Sequence, residues 1–290
     1  MRWIDIPIKE TAASDKNYPK NLARIRNPPA RIFYRGNLNN GLFKKSIAVV
    51  GSRRMTRYGK DVIDKFVSLF ATNNIATISG FMYGVDTEVH QKTIEYGGKT
   101  VAVFGCGLDI VYPPENEKLY TQILESGGAV ISEYEPKAKP HLWKFPQRNR
   151  IVAGLSSLGV LIIEAGEKSG SLITARIARQ EGKKVYAVPG NVTSSVSAGT
   201  NLLIKKGEAI FVTMAEDILG LKPKAKSRKQ HPELSLLENK IFEALKTEPL
   251  NADEIATQID ESVVEVGTTL SIMGLKGLVI ESAGKFYLQK

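Results

Sequence analysis

Between residues 47 and 188, short runs of β-branched and apolar residues alternate with segments whose apolar residues recur at helical spacing. Ile47-Ala48-Val49-Val50 stops at Gly51, and Val62, Ile63, Phe66, Val67 and Phe70 then follow at intervals of three and four. Further runs stand at Ile75–Ser79, Thr100–Phe104, Ala129–Ser132, Leu158–Ile163 and Lys184–Val188. Strands this short, and apolar at nearly every position, belong to a parallel sheet covered on both faces by the intervening helices. Because β–α–β crossovers are right-handed, the pattern specifies an α/β fold: a Rossmann-like, doubly wound, mostly parallel sheet over residues 46–220. Residues 1–45 read as an irregular lead-in. Tyr18-Pro19, Pro28-Pro29 and Phe33-Tyr34 suggest extended, aromatic packing against the main domain.

The pattern ends at a basic stretch. Leu221 to Gln230 holds five cations and a proline without apolar periodicity, the composition of a solvated linker, which is placed at 221–232. Beyond it, Leu236–Leu245 is amphipathic, Asn251 with Glu254 three residues on marks a helix start, and Ser262 caps a third helix running to about Leu275. Leu278-Val279-Ile280, Ser282-Ala283-Gly284 and Phe286-Tyr287-Leu288 read as a hairpin. Three helices and a hairpin predict a small C-terminal winged-helix domain at 233–290.

Charge divides the chain at the same place. The whole carries +10, but from His231 onward five basic face ten acidic residues, a net of −5, which leaves +15 on the rest. A strongly basic body suits a polyanionic partner, of which nucleic acid is the commonest soluble one; a basic surface kept for solubility is the alternative. No apolar run approaches the length of a membrane span, and Met1-Arg2-Trp3-Ile4-Asp5 lacks a signal-peptide core. The single cysteine, Cys106, makes no intrachain disulfide and no thiolate metal site, so a reducing cytoplasm is expected.

Open α/β sheets bind ligands at the carboxyl ends of their strands. Three segments there carry phosphate- and base-binding chemistry. Gly51-Ser52-Arg53-Arg54 offers close backbone approach, a hydroxyl and a fork-shaped guanidinium; it is neither a dinucleotide fingerprint nor a Walker A loop, and a plain turn with an incidental arginine is the other reading. Lys168-Ser169-Gly170-Ser171-Leu172-Ile173-Thr174 opens a helix with free N–H groups and the hydroxyls of Ser169, Ser171 and Thr174, a phosphate site or simple N-capping. Trp143-Lys144-Phe145-Pro146-Gln147-Arg148-Asn149-Arg150 mixes aromatics, cations and an amide. An exposed Phe145 would stack a base, Arg148 and Arg150 would neutralise phosphates, and Asn149 would contact a base edge or the backbone; alternatively Trp143 and Phe145 are core. Asp86 and His90, one helical turn apart, lack a third metal ligand and read as a structural hydrogen-bonded pair. Gly105-Cys106-Gly107 reads as a tight turn.

The ordered set of these motifs resembles the DprA/Smf family of DNA-processing proteins from about Tyr18 to Leu219. The resemblance rests on Tyr18-Pro19, Pro28-Pro29 and Gly36; Val49-Val50-Gly51-Ser52-Arg53 with Tyr58-Gly59; and Ser79-Gly80, Gly84-Val85-Asp86 and His90. It continues through Gly107-Leu108-Asp109 with Tyr112-Pro113, Phe145-Pro146 with Arg148-Asn149-Arg150, Ser169-Gly170-Ser171 with Thr174, and Val188-Pro189-Gly190 with Gly199 and Asn201. Phe81-Met82-Tyr83 departs from the family, which usually has a smaller, alanine-containing stretch, and is expected to alter a local surface. The resemblance implies a homodimeric, single-stranded-DNA-binding protein that protects the strand and delivers it to RecA, displacing single-strand-binding protein, in natural transformation and homologous recombination. It implies no catalytic residue, metal or cofactor. Its DNA pocket falls on Ser52, Arg53, Phe145, Arg148, Asn149 and the Ser169–Thr174 loop, including Ser169, Gly170, Ser171 and Thr174; Gly51, Lys144 and Arg150 join the candidate DNA-binding set from the reading of the segments themselves.

Two rivals remain. A nucleotide phosphoribohydrolase of the LOG type uses a Gly-Gly-x-Gly-Thr loop followed closely by glutamates; here no acid follows Gly170-Ser171 before Glu181, leaving Glu164 or Glu133 as substitutes. In the other, the winged helix reads DNA. Its presumed recognition helix, Ser262–Leu275, has no Lys or Arg before Lys276 and contains Glu265, which suits a protein contact better than a phosphate backbone.

Overall fold

The computed structural model describes residues 2–221, 234–282 and 284–288. Two compact units, Met1–Lys222 and Pro223–Lys290, each hold their own core. The expected linker at 221–232 lies, apart from Leu221, outside the described residues.

In the larger unit the described residues form a nine-stranded sheet: β1 Lys9–Ala12, β2 Arg31–Gly36, β3 Ser46–Val50, β4 Ala76–Ser79, β5 Thr100–Val103, β6 Ala129–Ser132, β7 Val160–Ile162, β8 Val185–Ala187 and β9 Ile210–Phe211. Its order is β1-β2-β6-β5-β4-β3-β7-β8-β9, parallel from β6 through to β9. The chain therefore builds outward from β3 through β4, β5 and β6, then returns to the other side of β3 with β7. That reversal between β3 and β7 is the topological switch point of a doubly wound sheet.

The helices are α1 Arg57–Thr72, α2 Val85–Glu95, α3 Glu117–Glu125, α4 Lys144–Leu155, α5 Gly170–Gln180, α6 Ala198–Lys205 and α7 Ala215–Leu219. Alternate strand residues feed opposite faces, as the two-residue period of a strand requires. Ile47 and Val49 pack with Val62, Ile63, Phe66 and Phe70 of α1, whereas Ala48 and Val50 pack with Ile151, Val152 and Ala175 of α4 and α5. A third cluster, Phe81, Phe104, Leu119, Tyr120 and Ile123, closes the α3 side.

The lead-in is more ordered than expected. β2 adds to the sheet antiparallel to β6, and β1 pairs antiparallel with β2 at its edge. Its cations hid this: Arg35 points into the protein, 4% exposed, where it donates to the carbonyls of Ile6 (2.7 Å) and Leu108 (2.8 Å) and pairs with Asp109 at 2.9 Å. An inward-facing arginine breaks the apolar pattern by which a strand is read. Tyr18 does pack inside, its hydroxyl donating to the carbonyl of Pro29.

The smaller unit consists of α8 Leu236–Leu245, α9 Ala252–Ile259, α10 Val263–Leu275 and the antiparallel pair β10 Val279–Ser282 and β11 Lys285–Leu288. Reciprocal capping boxes, Ser235 with Glu238 and Asn251 with Glu254, start the first two helices, and Ser262 caps the third. Ile241, Leu245, Ile255, Val266, Leu270 and Met273 form its core, giving the expected winged helix.

Candidate nucleic-acid interface

A cavity of about 770 Å³ opens at the switch point, walled by the segments that follow β3, β4 and β7 and by the starts of α4 and α5. Its size is that of a small-ligand site.

The β3 wall depends on glycine. A Cβ on Gly51 would stand 2.7 Å from Val85 and 2.9 Å from the Glu164 carbonyl, so only glycine lets β3 leave the sheet against α2 and β7. The Ser52 hydroxyl accepts from the Arg54 N–H at 3.0 Å, closing a tight turn. That turn leaves Arg53 exposed, with its guanidinium 5.8 Å from the centre of the Phe145 ring.

The β7 wall is a helix start. Ser169 caps α5 by accepting from the Ser171 N–H, and the two hydroxyls lie 2.7 Å apart. Gly170 is exposed, and the space its Cβ would occupy is open for 4 Å. Ser169 to Thr174 line the cavity apart from Leu172, although Ser171 and Thr174 are themselves buried. The start of a helix offers unpaired N–H groups and a partial positive charge to an anion.

The third wall is the start of α4, and it corrects several expected roles. Phe145 lines the cavity but is 8% exposed, wedged against Gly105, where a Cβ would approach its ring to 2.7 Å, and beside Tyr112 at 5.6 Å. It is thus a platform under Arg53, not an open stacking face. Arg148 forms the floor at 3% exposure; its Nη1 donates to the carbonyls of Gly80 and Val103, tying the ends of β4 and β5 together. Burial lowers the pKa of its guanidinium and raises that of the buried Asp86 carboxyl, each opposed by the other's charge. Asn149 lines the cavity and donates to the Gly170 carbonyl at 3.4 Å.

Lys144 and Arg150 fall outside the cavity lining. Lys144 is buried, its ammonium 2.7 Å from the Lys139 carbonyl. Arg150 holds Glu133 in a two-pronged pair at 2.8 and 2.6 Å and donates to the Asn27 carbonyl. Helical pitch sends Arg150, two residues past Arg148, to the other side of α4, whereas Lys144, one turn before Arg148, is turned aside by its bond to the Lys139 carbonyl. Trp143, the residue left between core and surface by its sequence, is 61% exposed.

Residues missed in the sequence complete the walls: Tyr83, Leu142, Ser195 and Val196. Tyr83 and Leu142 are aromatic and apolar, yet 42% and 86% exposed. Only their unusual exposure marks them, and exposure is not written in sequence. The charged residues lining the cavity are Arg53, Arg54, Arg148 and Lys168 against Asp86 alone, a basic basin with its acid buried.

Asp86 and His90 do not form the expected pair. Asp86 accepts from the Met82 N–H at 3.3 Å, while the His90 Nδ1 meets the Thr100 hydroxyl at 2.6 Å. Cys106 is buried, its thiol pushed up to about 11 by burial. The carboxylates that a hydrolase would need are committed elsewhere. Glu164, 1% exposed, accepts from the N–H of Thr56 at 2.9 Å and from its hydroxyl, and so holds the start of α1. Glu133 is bound to Arg150.

Residues 9–222 match the family described as DNA recombination-mediator protein A, and residues 225–285 match the DprA winged helix domain. DNA processing protein DprA of Streptococcus pneumoniae is 42% identical over 205 residues, 71% of either chain. Protein Smf of Escherichia coli is 38% identical over 218 residues, 75% of this chain and 58% of that longer relative. The X-ray structure of the pneumococcal protein aligns with a TM-score of 0.67 at 39% identity, covering 76% of this chain and 75% of that one. DNA processing protein A from Helicobacter pylori, whose structure is described for its single-stranded DNA binding mode, aligns with a TM-score of 0.66 at 28% identity, over 76% of this chain and 97% of that one. With a mostly parallel Rossmann-type sheet, a winged helix and these relatives, the chain belongs to the DprA/Smf family of DNA recombination mediators.

Proposed function

We propose that this protein binds single-stranded DNA in the switch-point cavity, shields it, and promotes its loading with RecA in place of single-strand-binding protein. It does so as a cytoplasmic homodimer in natural transformation and homologous recombination, without catalysing a reaction. The observation that carries this reading is Arg53, laid over Phe145 beside the open N-terminus of α5. An exposed fork-shaped cation and the positive end of a helix converge there on one basin, an arrangement suited to successive phosphates. Among the described residues no helix is long and apolar enough to cross a membrane.

The test is fluorescence anisotropy with labelled oligo-dT and a duplex of the same length, across several salt concentrations. Single strands are expected to bind more tightly. Arg53→Ala should weaken that binding about tenfold or more, since hydrogen bonds to charged groups are worth about 1.5–3 kcal/mol. It should also flatten the dependence of log K on log salt by about 0.7, one fewer counterion being released. An unchanged affinity and slope would place the groove elsewhere.

A further inference from the structure

Segment 80–84, between β4 and α2, is unusually constrained for a loop. Phe81 holds a left-handed φ of +63° and is fully buried, 4.7 Å from Phe104 and 6.3 Å from Tyr120 between ring centres. A non-glycine residue in this region is strained and persists only where surrounding packing over-determines it. Gly84, at φ +72°, is pressed against the other loop: a Cβ there would stand 2.4 Å from the Ser52 carbonyl and 2.7 Å from the Arg53 backbone. The Val85 N–H donates to that same Ser52 carbonyl at 3.1 Å. The backbones that carry Tyr83 and Arg53 therefore abut.

Tyr83 itself lines the cavity while remaining 42% exposed, and its hydroxyl donates to Glu115 at 2.8 Å. The ring is thus anchored at both ends, by a packed backbone and by a carboxylate, with a face left to the basin. Leu142, 86% exposed, adds an apolar surface to the same cavity. A large ring held open to solvent and an unburied guanidinium, both lining one cavity, match the two halves of one nucleotide: a base for the ring, a phosphate for the cation.

We propose that Tyr83 is a base-stacking platform of the DNA site, receiving an unstacked nucleobase whose neighbouring phosphate lies on Arg53. This rests on the single-stranded DNA reading above and adds a stacking position that Phe145, being buried, does not supply. A pre-set ring loses little rotamer freedom on binding, so stacking there adds to affinity at small entropic cost.

The test uses the full chain, labelled oligo-dT and an oligo-dT carrying one 2-aminopurine, whose fluorescence is quenched on stacking. Tyr83→Ala should weaken oligo-dT binding about tenfold and lose the 2-aminopurine quenching seen with the unsubstituted chain. Tyr83→Phe, which keeps the ring and deletes the bond to Glu115, should retain both. If Tyr83→Phe falls as far as Tyr83→Ala, the residue is a loop tether and the stacking role is overturned. If Arg53→Ala weakens binding but Tyr83→Ala leaves affinity and quenching unchanged, the platform is overturned while the cavity stands. If neither substitution matters, the DNA site itself lies elsewhere. Thermal unfolding of each variant checks that the fold is kept, and Tyr83→Leu, apolar without a π face, should behave as Tyr83→Ala.

Discussion

Arg53 and Arg148 lie in the same basin and do different work. Arg53 is exposed and rests on an aromatic ring; Arg148 is buried, bonded to two strand-end carbonyls and set against Asp86. Losing Arg148 leaves the two buried carbonyls without that donor, at about 1–3 kcal/mol for each unsatisfied group, whereas an exposed substitution stays within about 0.5 kcal/mol. Arg148→Ala should therefore lower the urea midpoint of the larger unit sharply, and Arg53→Ala should leave it in place while weakening DNA binding. Phe145→Ala should also cost stability, about 3–5 kcal/mol as a buried aromatic truncation, and so cannot by itself report on stacking. His90 gives a pH signature. It is fully buried, its Nε2 has no hydrogen-bond partner among the described residues, and burial pushes its pKa from 6.5 to about 3. The unfolded chain takes up a proton at His90 below about 6.5, while the folded chain stays neutral down to about 3. This contribution to stability is complete above pH 6.5 and is lost as pH falls towards 3, at up to about 1.4 kcal/mol per pH unit. Urea melts between pH 7 and 5 should show that loss, and His90→Gln should reduce it.

At the scale of elements, the α5 start and the winged helix make opposite predictions. Ser169→Ala removes the cap of α5 and should cost about 1 kcal/mol of stability, together with a fall in oligo-dT affinity; full affinity would show that the helix start does not meet the phosphates. In the smaller unit, α10 has no Lys or Arg within Val263–Leu275 and instead exposes Val264 and Leu275, at 79% and 91%. Lys276, the first cation beyond it, is held by Glu238 at 2.6 Å. Residues 231–290 alone should show no measurable DNA affinity at moderate salt; tight duplex binding by that fragment would reverse this reading.

At the scale of the molecule, residues 1–221 carry +10 and residues 231–290 carry −5, so on the proposed reading polyanion binding falls to the larger unit. Residues 1–221 should retain most of the oligo-dT affinity of the full chain, with a similar salt slope, as measured by anisotropy. A large loss on truncation would show that the winged helix shares in the binding.

The strands of the parallel sheet were legible because a strand covered on both faces must be largely apolar, and β3 to β8 are, with only buried Ser and Thr interrupting them. So were the caps at Ser169, Asn251 and Ser262, since capping is a local exchange between a side chain and nearby N–H groups. β1, β2 and β9 were not: Arg35 turns inward to partners distant in sequence, and β9 is two exposed residues. The site was legible as three segments, because glycine, serine and arginine in those positions carry their chemistry wherever they stand. Which of those residues face one another was decided only in three dimensions. The pitch of α4 sent Arg148 beneath the cavity and Arg150 to Glu133, Gly105 admitted Phe145 into the wall, and the contact of Gly84 with Ser52 and Arg53 brought Tyr83 to the rim. Composition and periodicity determine what a segment becomes; the packing of segments far apart in the chain determines which side chains remain open to a ligand.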